Sequence, residues 1–113
     1  MKIIYKLENW ILKQYKFHFS WKFKYELVKD LPDDMPEKMI LIIAEGYQPD
    51  SLAFKCPCGC NALIYLNLLT DAKPCWKYRI TPKRNISILP SIWRRTGCKS
   101  HFFIREGRVK WFY

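Results

Sequence analysis

Over the first sixteen residues the apolar side chains Ile3, Ile4, Leu7, Trp10 and Ile11 recur at three-to-four spacing, with Lys2, Lys6, Glu8 and Lys13 between them. That period gathers the apolar side chains on one stripe and predicts a short amphipathic helix over residues 1–16. From Phe17 to Leu27 the period drops to two: Phe17, Phe19, Trp21, Phe23, Tyr25 and Leu27 alternate with His18, Ser20, Lys22, Lys24 and Glu26, as in a half-buried strand. The prolines and acids of Leu31–Lys38 (LPDDMPEK) break the pattern, and Met39–Ala44 (MILIIA) then reads as a strand buried on both faces. Leu52–Lys55, Ala62–Leu69, Cys75–Ile80 and Ile86–Leu89 are further short extended segments, the last taken to close at Pro90. His101–Arg105 and Arg108–Phe112 flank Glu106-Gly107, a connection of hairpin length with a glycine ready for positive φ.

Strands at this spacing behind one helix give a mainly β (α+β) fold: a small antiparallel β domain with an N-terminal helix. The chain has 113 residues, so one domain is expected over 1–113, the helix in 1–16 and the β domain in 17–113. Half of the residues are apolar and 17% aromatic, which excludes the disordered class. No apolar run approaches the roughly 20 residues of a bilayer span, and the charged start lacks a signal-peptide core, so a cytoplasmic protein without a membrane span is expected.

The formal charge of +10 is unevenly spread, with eleven basic side chains and a single acid, Glu106, in residues 73–113. Such a segment favours acidic partners, without naming them.

Five cysteines in a reducing compartment read as metal ligands rather than disulfides. Cys56-Pro57-Cys58-Gly59-Cys60 places three thiols at alternate positions, and Pro57 and Gly59 allow the loop to curl them inward. With Cys98 they make a four-thiolate zinc site, structural because no coordination position remains for water, and Cys75 is the spare. Cys98 and His101 are also spaced for joint ligation if the chain turns there. On an extended strand, however, Cys98, Ser100 and Phe102 face one way and Lys99, His101 and Phe103 the other.

Ser91 follows Pro90 at a strand end, and neither it nor Ser100 lies in the Gly-x-Ser-x-Gly setting of an α/β-hydrolase, a fold too large for this chain. CPCGC, the LNLL after it, Trp76, Leu89-Pro90-Ser91-Ile92, Cys98-Lys99-Ser100-His101-Phe102 and Gly107-Arg108-Val109-Lys110-Trp111 together resemble the BubE-like family, over a span from about Leu31 to Trp111. That family is found in bacterial operons beside E1-like, E2-like and ubiquitin-like proteins, as their zinc-containing, serine-peptidase-like component. The resemblance implies zinc on Cys56, Cys58, Cys60 and Cys98, with Ser91 as nucleophile and His101 as its base. Ser100 is the rival nucleophile, its side chain expected to point away from His101 on an extended strand. For the acid that would orient the imidazole, Glu45 ranks ahead of Asp50 and Glu106. Where the family often has glycine after the cysteine turn this chain has Asn61, which tolerates the same left-handed backbone.

The function implied is hydrolysis of an acyl bond at the carboxyl tail of a ubiquitin-like protein, in precursor processing or in removal from targets. The alternative from another class is a noncatalytic basic zinc module that binds nucleic acid or scaffolds the conjugation enzymes.

Overall fold

The computed structural model describes residues 21–112. The expected helix over 1–16, the start of the alternating stretch and His18 lie outside them. Eight strands follow in order: β1 Lys24–Val28, β2 Met39–Ile43, β3 Ser51–Lys55, β4 Leu63–Asn67, β5 Lys77–Ile80, β6 Ile86–Trp93, β7 His101–Arg105 and β8 Arg108–Trp111. They form two four-stranded sheets, each in sequential order, β1-β2-β3-β4 and β5-β6-β7-β8.

All neighbours are antiparallel except β1 and β2, which run parallel from Lys24↔Met39 to Val28↔Ile43. This departs from the expected antiparallel sheet, because the loop after Val28 carries the chain back across the sheet instead of turning it in a hairpin. Leu31 and Met35 of that crossover, with Val28 and Met39, cover Leu41, Ile43 and Ala53 on the outer face of the first sheet. MILII is therefore apolar throughout because both of its faces are covered.

The inner faces of the two sheets share one core. Ile40, Ile42, Leu52, Phe54 and Leu66 from the first meet Ile86, Ile88, Ile92, Phe102 and Ile104 from the second. Phe54 stands edge-on to Phe23 at 5.3 Å and to Phe102 at 6.5 Å, a chain of rings that crosses the interface between the sheets. Burying each such side chain contributes roughly 1.5–3 kcal/mol. The alternation before Leu27 puts Trp21, Phe23 and Tyr25 against this core. Leu27, at the same face but on the edge strand, is left 66% exposed, as the second sheet does not reach over it.

Two details position the functional residues. Glu106 and Gly107 adopt φ of 53° and 79°, the two left-handed residues of a tight hairpin turn. The second is the breakdown of the β6–β7 register: Ile88 pairs with Ile104, but Ile92 pairs with Phe102. Three residues of β6 thus stand where β7 offers one. Pro90 does not end the strand as expected, because inside this bulge a residue without an N–H leaves no ladder bond unmade.

Candidate active site and metal centre

Two connections, β3 to β4 and β6 to β7, carry Cys56, Cys58, Cys60 and Cys98. Between β3 and β4 the turn closes by hydrogen bonds from Cys56 N to Ala62 O, 2.8 Å, and Gly59 N to Cys56 O, 3.3 Å. Gly59 and Asn61 take φ of 95° and 64°, so the asparagine supplies the left-handed conformation that the turn needs. Between β6 and β7 the connection is closed by Arg94 N donating to Ser100 O at 2.8 Å, with Gly97 and Lys99 at positive φ. Cys98 lies at its tip, facing the other turn.

As a result the Sγ atoms of Cys56, Cys58, Cys60 and Cys98 all lie within 4.8 Å of one another. Cys56 Sγ is 3.4 Å from Cys58 Sγ and 3.7 Å from Cys98 Sγ. Four thiolates at 2.3 Å around a tetrahedral ion would be about 3.8 Å apart, so the set fits a single soft cation such as zinc. His101 is not part of this group, and Cys75 stands apart, its Sγ accepting from Lys73 Nζ at 3.4 Å.

The surroundings favour sulfur anions at the rim. Ser100 Oγ donates to Cys98 Sγ at 3.2 Å, and Arg94 Nη1 approaches Cys98 Sγ at 3.3 Å and Cys60 Sγ at 3.4 Å. Hydrogen bonds from the Ser100 side chain and backbone lower Cys98 to about 6, and the backbone bond from Ala62 lowers Cys60. Burial pushes Cys56 up to about 12, the thiol among the four that most needs a cation to ionise.

Residues one position along from Arg94 and Ser100 point to the opposite face of the sheet, into solvent. There Trp93 pairs across the ladder with His101, and Phe112 N donates to His101 O at 2.9 Å on the far side. The three rings stack almost parallel, His101 lying 5.2 Å from Trp93 and 4.0 Å from Phe112, each at 19°. His101 Nε2 is 3.0 Å from Ser91 Oγ. Ser91 lies within the bulge, on the outward face by plain alternation from the buried Ile88 and Ile92. Its backbone is held from beneath, where Trp76 Nε1 donates to Ser91 O at 3.2 Å.

The structure therefore brings Ser91 and His101 together and turns Ser100 toward Cys98. Glu45 occupies the exposed turn after β2, and among the described residues no hydrogen bond or ion pair joins it to His101. Asp50 accepts from Ser51 Oγ at 2.8 Å. Glu106 lies at the other end of β7 from His101, where its carboxylate accepts from Thr81 Oγ1 at 2.9 Å and Asn85 Nδ2 at 3.1 Å.

Sequence reasoning missed Trp93 and Phe112 as partners of the imidazole, the tie from Trp76 to Ser91 and the contact of Arg94 with the sulfurs. Only the cross-strand register brings these residues together, and no spacing along the chain announces it.

Among the described residues no helix is long and apolar enough to cross a membrane. Comparison with curated proteins and with solved structures gives no match. The family described as bacterial ubiquitination-like system serine protease (BubE) matches residues 27–112, a span that holds all four clustered cysteines, Ser91 and His101. The chain belongs to that family.

Proposed function

We propose that this protein is a zinc-stabilised serine peptidase that cleaves at the carboxyl tail of a bacterial ubiquitin-like protein, maturing a precursor or releasing it from targets. The observation that carries this reading is the 3.0 Å contact between His101 Nε2 and Ser91 Oγ on a solvent-facing surface. A serine hydroxyl is a poor nucleophile until a base accepts its proton. As Ser91 Oγ bonds to the tail carbonyl carbon, its proton passes to His101 Nε2. The same imidazolium then protonates the departing amine as the C–N bond breaks, leaving an acyl-serine that water, deprotonated by His101, hydrolyses. The stacked rings of Trp93 and Phe112 keep the imidazole from rotating away. Cys56, Cys58, Cys60 and Cys98 would hold zinc, which supplies cross-linking of the two loops and no reaction chemistry, since four thiolates fill its coordination.

The test is to incubate the protein with the ubiquitin-like protein encoded beside it, bearing a carboxyl extension or linked to an amine. Ser91→Ala and His101→Ala are each expected to lose roughly 10²–10⁴-fold in rate. A fluorophosphonate should label Ser91, read by peptide mass. Undiminished cleavage by both variants would refute the assignment.

A further inference from the structure

The outward face of the second sheet continues past Ser91 and His101 as two cross-strand rows. The nearer holds Lys77 opposite Leu89 and Phe103 opposite Lys110, an apolar pair at the centre with a cation on each flank. In the next row Arg79 lies opposite Ser87, and Arg105 sits on β7. A cavity of about 220 Å³ opens between the rows, with Leu89 and Phe103 at one side and Arg79 and Arg105 at the other. It begins two residues from Ser91 on β6 and two from His101 on β7, about 7 Å along the strands. Leu89 is 55% exposed and Lys77, Arg79, Arg105 and Lys110 are all exposed. Among the described residues none of these four cations forms a salt bridge. Glu106, the acid lining the cavity, already has its Oε2 engaged by Thr81 and Asn85.

We infer that this groove binds an acidic stretch of the substrate polypeptide, placing Asp or Glu carboxylates against Arg79 and Arg105 and an apolar side chain on Leu89 and Phe103. The inference rests on the peptidase reading for its choice of a polypeptide as occupant. Charge complementarity selects the acidic chemistry: Arg79 and Arg105 line the cavity, Lys77 and Lys110 flank Leu89 and Phe103 in the row beside it, and a guanidinium fork matches a carboxylate. The distance to Ser91 suits residues close to the bond cleaved.

The test uses the full chain carrying Ser91→Ala, so that binding is read without turnover. Fluorescein-labelled peptides of one length, Asp-rich, Asn-rich or Lys-rich around a common Leu, are titrated by fluorescence anisotropy, with a single-stranded oligodeoxynucleotide alongside. The Asp-rich peptide should bind at least about tenfold more tightly than the Asn-rich one, as expected for a single charge-assisted contact. Arg79→Glu combined with Arg105→Glu should reverse the preference toward the Lys-rich peptide, an outcome that a misfolded variant would not produce. Equal binding of the Asp-rich and Asn-rich peptides, no binding of any peptide, or preference for the oligonucleotide would overturn the inference. An acidic preference in a protein that cleaves nothing would leave the groove standing and remove the peptidase. Cleavage that is indifferent to acidic residues would do the reverse.

Discussion

If Cys56, Cys58, Cys60 and Cys98 hold an ion, its removal should do far more than expose four thiols. Cys56 follows β3 of the first sheet, and Cys98 lies between β6 and β7 of the second, so an ion bound by both ties the sheets at the edge of their shared core. Structural zinc in small domains contributes about 10–16 kcal/mol near neutral pH, while the whole net stability of such a domain is about 5–15 kcal/mol. Loss of even 3 kcal/mol, well under that contribution, would lower Tm by roughly 12 °C in a chain of this size. Protein purified without added metal should therefore carry about one equivalent of zinc. A strong chelator under reducing conditions should lower its melting temperature by at least that amount or unfold it, and zinc should restore it. Cys56→Ser should behave like the chelated protein, because it removes the buried sulfur. A metal-free preparation that melts at the same temperature as the untreated protein would refute the reasoning, whatever the distances between the sulfurs.

Two further outcomes probe the hairpin that ends in β8. Gly107→Ala places a Cβ 3.0 Å from Phe23 O and 3.2 Å from Lys22 Cβ at a φ of +79°, whereas at Gly46 a Cβ meets nothing within 4 Å. The first should cost at least about 1–2 kcal/mol and the second should leave Tm nearly unchanged in the same melting assay, and equal melting of the two would contradict the turn. Hydrogen bonds from Asn85 and Thr81, with Lys83 and Arg79 nearby, hold the Glu106 carboxyl below its usual range. A depressed folded pKa gives stability that is present above the unfolded value and lost as pH falls through the folded one. Denaturant titrations should therefore show the gap between wild type and Glu106→Gln narrowing on acidification, and a gap independent of pH would exclude the effect.

How much of this was legible in the sequence depended on the range over which each residue finds its partner. Strand periodicity needs only neighbours along the chain, so β2 through β8 lie close to their expected positions. The hairpin at Glu106-Gly107 follows from two residues. The cysteine cluster was readable because three of its members are adjacent in sequence and the fourth has the same chemistry. The parallel pairing of β1 with β2 was not, since nothing in the LPDDMPEK stretch distinguishes a crossover from a turn. Pro90 misled for a related reason: proline ends a regular strand, and the bulge that accommodates it exists only in the pairing with β7. The same bulge shifts the register so that Trp93 rather than Ser91 stands opposite His101, which is why the stacked indole could not be read from the sequence.

Strand alternation links the two halves of the site. At the end of β6, Trp93 faces solvent, and the next residue, Arg94, faces the sulfurs; entering β7, Ser100 faces the sulfurs and His101 faces solvent. Arg94 and Ser100, which bond to the sulfurs, are therefore the chain neighbours of Trp93 and His101, two rings of the stack. Anchoring the connection through Cys98 fixes the pairing of Trp93 with His101, and that pairing together with Phe112 fixes the plane of the ring. Ser91 is anchored separately, by the indole of Trp76 on its carbonyl. Ser91 and His101 are thus held from two directions, so their 3.0 Å contact rests on both the cysteine-bearing loops and the packing of Trp76. A small β domain with no carboxylate bonded to its histidine, among the residues described, can in this way orient the imidazole by packing, with the geometry set by cross-strand register rather than by a third ionisable group.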